Sequence, residues 1–324
     1  MGKVEAYIEE IEQGLNSYDF GEQPNQLYEP IRYILSLGGK RMRPVLALMA
    51  CELFDKDYQQ ALLPALGVEV FHNFTLLHDD IMDAAPLRRG MATVHEKWDN
   101  STAILSGDVM LIKAYELFLA SGSNDLKKIL SKFNKCATEV CEGQQYDMSF
   151  ESVSRVREAE YLEMIRLKTA VLVAFALELG AIIGGAEEKT SDQLYNFGTN
   201  IGIGFQLKDD LLDVYADASK FGKQVGGDII ANKKTFLLIK ALELAKGSVL
   251  DELTNWLAKK EFDPEEKVNA VRSMYDELNI NTICTSKMDQ YFSRAQALFD
   301  SLDISDDRKQ PLNELMTMLI KREK

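Results

Sequence analysis

Leu62, Leu66, Val70, Phe74, Leu77 and Ile81 recur every three to four positions, the interval that puts side chains on one stripe of an α-helix. The same interval returns at Leu312, Leu315, Met316, Leu319 and Ile320 and predicts a helix near the end of the chain. Alternating apolar and polar runs bounded by hairpin turns are scarce. After Pro86 no proline occurs until Pro264, and so long a gap fits a succession of uninterrupted helices. Asp263-Pro264-Glu265-Glu266 supplies a cap, a first-turn proline and an acid at the third helical position, which predicts a helix start. The most hydrophobic stretch, residues 170–186, is interrupted by Glu178 and is short for a membrane span, so it reads as a buried helix. Residues 121–125, 184–190 and 219–234, rich in Gly, Asn, Asp and Lys, read as loops between helices, not as domain linkers. The expectation is an all-α single domain over residues 1–324.

Composition changes this picture little. Hydrophobic residues make up 46% and charged residues 27%, the proportions of a soluble globular protein rather than a disordered one. The net charge of −14 argues against nucleic acid as a partner and against a purely electrostatic hold on anionic lipid. Cys51, Cys136, Cys141 and Cys284 show no metal-binding spacing, which fits a reduced, cytoplasmic setting. No signal peptide, myristoylation signal or transmembrane segment is read.

The candidate chemistry lies in two acid-rich segments, Asp79-Asp80-Ile81-Met82-Asp83 and Asp209-Asp210-Leu211-Leu212-Asp213. The first and last aspartates of each are four apart, so on a helix their carboxylates share one face about one turn apart. One such run is ordinarily a solvated helix face. Here both are embedded in apolar sequence, where burying carboxylates is costly unless cations compensate them. Carboxylate oxygens suit Mg²⁺, which keeps several waters and completes its shell with phosphate oxygens. Two such clusters read as half-sites for cations that trap a diphosphate.

Bases gather beside these acids. Lys40, Arg41 and Arg43 follow a glycine pair and precede Pro44; Arg88-Arg89 follows the first acidic motif; Lys168-Thr169 lies mid-chain; Lys223, Lys233 and Lys234 lie after the second motif. Arginine grips phosphate in a fork, and lysine acts as a movable point charge. His72 stands seven residues before Asp79, nearly in line with it on a helix. His78 and His95 lack partners with zinc spacing and read as structural.

At this point the residues resemble the trans-prenyl diphosphate synthases, the head-to-tail chain-elongating branch of the isoprenoid synthase superfamily. The likeness runs from about Gly38 to Lys234, with the motifs in the family's order. Gly39-Lys40-Arg41-Met42-Arg43-Pro44 is similar to the opening block, and His78 to Asp83 with Leu87-Arg88-Arg89-Gly90 to the first aspartate-rich block. Gly143-Gln144-Gln145-Tyr146-Asp147 is similar to the middle helix. Phe205 to Asp213 looks like the second aspartate-rich block, and Gly222-Lys223 with Asp228 like the closing loop.

The resemblance implies a large helical bundle of the isoprenoid synthase type with a central substrate cavity. It implies three Mg²⁺ in the active site, with Asp79 and Asp83 ligating two and Asp209 a third; Asp80 and Asp213 join the candidate ligands. Arg88, Lys168, Thr169, Gln206 and Lys223 would hold the allylic diphosphate; Lys40, Arg43, His72 and Arg89 would hold isopentenyl diphosphate. Lys233 would serve the closing loop, and Gln144 and Asp147 complete the candidate substrate-binding set. Lys208, where many relatives carry a neutral residue, is a departure whose role stays open. A homodimer is implied as well.

The implied reaction needs no side-chain nucleophile. Mg²⁺ and the bases draw off the diphosphate, isopentenyl diphosphate attacks the allylic cation, and loss of a proton completes the five-carbon addition. Water must be excluded, which an apolar bundle provides. Phe74 resembles the bulky residue that limits product length in short-chain members, and Thr75 beside it is small, a pattern favouring a geranylgeranyl over a farnesyl diphosphate product. Five residues nevertheless turn Phe74 about 140° from Asp79 on the helix. Gly198, Gly202 and Phe205 share a stripe with Asp209 and Asp213, and either leave room for the growing chain or let helices pack closely. The competing readings are a class I terpene cyclase, a tail-to-tail synthase of the squalene type, and a non-enzymatic regulatory subunit or Mg²⁺-binding helical scaffold. Intact acids in both motifs and the Gly39 to Pro44 block set the chain apart from each.

Overall fold

The structure, a computed structural model, describes residues 2–123, 125–216 and 226–321. In chain order it runs α1 (Lys3–Ser17), α2 (Asn25–Ser36), α3 (Met42–Glu52), α4 (Gln59–Met82), β1 (Leu87–Arg88), β2 (Met91–Ala92), α5 (Val94–Lys97), α6 (Asn100–Leu119) and α7 (Leu126–Ser152). Next come α8 (Glu158–Ile165), a π-helical turn (Arg166–Ala170), α9 (Val171–Ile183) and α10 (Glu188–Tyr215). The short α11 (Gly227–Ile230) leads to α12 (Phe236–Leu244), α13 (Gly247–Ala258), α14 (Pro264–Glu277), α15 (Ile280–Asp300) and α16 (Asp306–Lys321). The helical class is as the spacing predicts, and among the described residues the strands form one antiparallel hairpin.

The expected helix start at Asp263 is present: its side chain accepts from the Glu266 amide at 2.9 Å, with Pro264 in the first turn. Proline marks helix boundaries less faithfully elsewhere. Pro30, Pro64 and Pro311 lie inside α2, α4 and α16, each the sixth residue of its helix. At that place a proline forfeits only the bond to the carbonyl of the helix's second residue, which packing offsets.

The chain divides into two compact units. The first comprises the chain up to Ala137 with Leu172–Tyr195 and Leu302–Met316. Here α4 lies against α6, and a Cβ on Gly67 would come within 3.0 Å of the Phe118 ring. Phe71, Phe118, Phe133 and Phe175 are fully buried and form one aromatic cluster, the Phe118 and Phe133 centroids 4.5 Å apart. Glu178, the charge interrupting the apolar α9, is buried and ion-paired with Lys132 at 2.6 Å, so a partner compensates its desolvation.

The second unit comprises Thr138–Val171, Asn196–Ser301 and the chain from Thr317 onward. Its core is built on Leu207, Phe236, Leu253 and Ile280, all fully buried. Gly202 of α10 carries no room for a further ligand on its own side: a Cβ there would strike Ala170, so this small residue serves close helix packing.

Candidate functional site

Each acidic motif occupies the end of a long helix. Asp79 and Asp80 sit in the last turn of α4 with Asp83 as its C-cap, and Asp209 to Asp213 fill the last turns of α10. The helix dipole is negative there and the final carbonyls lack intrahelical partners, so both ends favour cations.

Consecutive aspartates on a helix point about 100° apart, and the structure gives the two members of each pair different surroundings. Asp80 is 3% exposed and receives a fork from Arg88, Nε and Nη2 each 2.7 Å from a carboxylate oxygen. Asp79 is partly exposed with Arg88 Nη2 at 3.8 Å, and Asp83 is exposed. In the second motif Asp210 is likewise 3% exposed, accepting hydrogen bonds from the Tyr161 hydroxyl and from Gln206 Nε2 at 3.2 Å. Burial and the nearby Asp228 push its pKa up to about 7 against those two hydrogen bonds. Burial also raises the Asp80 carboxyl, opposed by Arg88. Asp209 is exposed, and Asp213 is partly buried with its Oδ2 accepting from the Asp228 amide at 3.0 Å. Thus the second acid of each motif is held inside, while the first and fifth are less buried, Asp213 being tied in part to the Asp228 amide.

Among the described residues no group of three or more His, Cys, Asp or Glu side chains converges as a closed metal cage. The carboxylates of each cluster outside its buried second acid are nonetheless a donor set Mg²⁺ accepts when water and phosphate complete its shell. The residues present fit that ion. Asp80, expected among the ligands, has both oxygens engaged by Arg88.

The bases of the first unit gather around His72. Arg43 Nη1 lies 3.0 Å from His72 Nε2. A guanidinium only donates, so Nε2 must accept and the imidazole is neutral with its proton on Nδ1. Burial, then Arg43, Arg89, Arg88 and Arg41, hold its pKa well below the ordinary value. Arg89 comes to the same place through the hairpin: Arg89 and Gly90 form its two-residue turn with φ of 54° and 79°, the left-handed pair of a type I′ turn. Gly39, at φ 142°, is where that guanidinium passes, since a Cβ there would lie 2.7 Å from Arg89 Nη2. Lys40 is exposed beside it. Arg41 departs from this group. It turns inward to Glu12 at 2.8 Å, Glu69 at 2.7 Å and the Leu35 carbonyl at 2.6 Å, a buried brace for the glycine-rich block.

In the second unit Lys168 and Thr169 ride on the π-helical turn, which widens the helix at this point. Lys168 Nζ is 2.6 Å from Asp147, and Thr169 Oγ1 donates to Gln206 Oε1 at 3.1 Å. Gly143 permits this, because a Cβ on it would collide with the Lys168 backbone nitrogen. Gln144 sits one residue on, its Nε2 buried with no hydrogen-bond partner among the described residues. Lys233 is exposed, with its amide donating to Asp228 O at 2.9 Å. Lys223 lies outside the described residues. Lys208 donates to the Ile320 carbonyl at 2.5 Å in the last turn of α16.

Phe74 packs in the first unit between Phe71, centroids 5.6 Å apart, and His78 at 4.7 Å; Thr75 returns its hydroxyl to His72 O at 2.7 Å. Sequence marks Asp210 only as part of the second motif, without a role, and does not point to Tyr161. The Asp-Asp doublet itself carries the signal for the first, whereas nothing local marks Tyr161.

Residues 24–275 match the sequence profile of the polyprenyl synthetase family. The chain belongs to the polyprenyl synthetase family. A geranylgeranyl pyrophosphate synthase of Geoglobus acetivorans is 38% identical over 304 residues, 93% of this chain and 92% of that one. A crystal structure of a geranylgeranyl pyrophosphate synthase superposes with a TM-score of 0.95 at 42% identity, covering 100% of both chains. A polyprenyl synthase of Caulobacter crescentus, solved with calcium and isoprenyl diphosphate, is 27% identical with a TM-score of 0.85, covering 99% of this chain and 95% of that one. This polyprenyl synthetase is therefore a prenyltransferase, a short-chain prenyl diphosphate synthase of isoprenoid-synthase fold, from a family that uses divalent metal ions. No helix among its described residues is long and apolar enough to cross a membrane.

Proposed function

We propose that the protein condenses isopentenyl diphosphate with allylic diphosphates to all-trans geranylgeranyl diphosphate, in preference to farnesyl diphosphate. The observation that carries this reading is the matched build of the two aspartate motifs, each with its second acid secured inside and its first, Asp79 or Asp209, less buried. The names of the two geranylgeranyl synthase relatives and the aromatic Phe74 support the product assignment.

Asp79 and Asp83 would ligate two Mg²⁺, and Asp209, with Asp213, a third. Those ions, when bound, neutralise the diphosphate so that it can leave the allylic carbon. Arg88, Lys168, Thr169, Gln206 and Lys223 grip the departing group, with Gln144 and Asp147 beside Lys168 and with Lys233 in the closing segment. Lys40, Arg43, His72 and Arg89 hold isopentenyl diphosphate so that its double bond meets the allylic carbon, and the proton released passes to the departed diphosphate. Asp80 serves through Arg88, fixing the arginine rather than a metal. We further read the chain as one isoprenoid synthase domain acting as a homodimer in the cytoplasm. An exposed apolar stripe on α6, Leu105, Ile112 and Leu119, supports the dimer, and cysteines that are free throughout the described residues suit a reducing compartment.

The test is elongation by the purified protein with Mg²⁺, labelled isopentenyl diphosphate and allylic starters of increasing length. Twenty-carbon product is expected, with a loss of about 10²-fold or more in kcat for Asp79→Ala and Asp209→Ala. Phe74→Ala should lengthen the products, and an unchanged distribution would remove Phe74 as the floor. Inactivity of the protein without another chain would favour the regulatory-subunit reading.

A further inference from the structure

Lys267 is fully buried in the second unit, 0% exposed, in the first turn of α14. That is a poor place for a cation: burial removes its hydration, and the positive end of the helix dipole opposes it. Among the described residues no carboxylate forms an ion pair with it. Its ammonium donates to the Ile230 carbonyl at 3.2 Å and to Asn232 Oδ1 at 2.7 Å, and stands 4.1 Å from the centre of the Phe262 ring. Burial pushes its pKa down.

What it holds is the stretch behind the second aspartate motif. Ile230 ends the single turn of α11, so its carbonyl has no partner within that helix. Asn232 follows in the left-handed region at φ 54°, with its side-chain Nδ2 donating to Leu257 O at 3.1 Å. The backbone amide of Lys233 bonds to Asp228 O at 2.9 Å, and that of Asp228 bonds to Asp213 Oδ2 at 3.0 Å. Gly226 adds a bond from its amide to Asp213 O at 2.6 Å. The contacts run without a gap from the buried ammonium to the carboxylate of the motif's fifth acid.

We propose that Lys267 is a positioning residue for prenyl transfer: it anchors the back of residues 226–235 so that Asp213 and Lys233 are presented in fixed register to the metal and the diphosphate. The assignment rests on the site reading above for Asp213 and Lys233. A charge without a counter-carboxylate suits this task. It can serve two oxygen acceptors and a ring face at once, where an ion pair would spend its donors on one acid.

The experiment compares Lys267→Met, Lys267→Arg and Asn232→Ala with the wild-type full-length protein. Amide hydrogen exchange at residues 226–235 should quicken about tenfold or more in Lys267→Met and less in Asn232→Ala, the scale of one lost charge-assisted hydrogen bond. The Mg²⁺ concentration for half-maximal activity and the KM for the allylic diphosphate should each rise about tenfold, with the KM for isopentenyl diphosphate unchanged, and Lys267→Arg should recover part of the loss. Should Lys267→Met not fold, Asn232→Ala and Lys267→Arg carry the comparison. Wild-type exchange at 226–235, or a uniform loss of activity that tracks the folded fraction with both KM values unmoved, overturns the role of Lys267. A wild-type protein that fails to elongate overturns the functional reading instead, and the exchange result still decides whether Lys267 anchors the segment.

Discussion

Neighbouring aspartates at the head of each motif serve different ends because a helix turns them apart. Asp79 and Asp209 are less buried, while Asp80 and Asp210 are enclosed with Arg88, Tyr161 and Gln206. The sequence shows the doublets but not which member turns in. His72 gives a prediction at this scale. Its folded pKa lies below the ordinary value of 6.5, so below about pH 6.5 the unfolded chain takes up a proton that the native ring refuses. The stability tied to the neutral ring is therefore complete above that pH and lost as pH falls below it. His72→Gln should flatten the fall in melting temperature between pH 7.5 and 5, measured without metal. A wild-type slope in the variant would show that the ring is already protonated or plays no part.

Whole elements place residues that side-chain chemistry alone leaves scattered. The hairpin sends Arg88 back to Asp80 and Arg89 over Gly39, although Arg-Gly is not the Asn-Gly or Asp-Gly pair that announces such a turn in sequence. The π-helical turn presents Lys168 and Thr169 to Asp147 and Gln206, and it rests against α7 at a position only glycine fits. Gly143→Ala should therefore destabilise the fold by about 1–3 kcal/mol, the usual cost of overpacking, while displacing Lys168. The expected kinetic result is a kcat/KM loss for the allylic substrate larger than for isopentenyl diphosphate, with thermal melts run alongside. Equal losses for both substrates would place the damage elsewhere.

At the scale of the molecule, α6 leaves Leu105, Ile112 and Leu119 exposed by 57%, 57% and 53% at seven-residue spacing, a stripe that solvent disfavours. Sedimentation should give the mass of two chains for the wild type and of one chain for Leu105→Glu combined with Ile112→Glu; a double variant that still sediments as two chains would move the interface off this face.

By itself the sequence determined the helical class, because apolar spacing of three to four is local and needs no partner to be seen. It also determined the order of the acidic and basic motifs, and with it the kind of chemistry. The tertiary structure alone decided that Arg41 leaves its neighbours for Glu12 and Glu69, that Tyr161 secures Asp210, and that Lys267 is buried rather than solvated. The free energy of a buried polar group depends on acceptors brought in from distant parts of the chain, and no pattern of neighbours along the sequence encodes which of them will arrive.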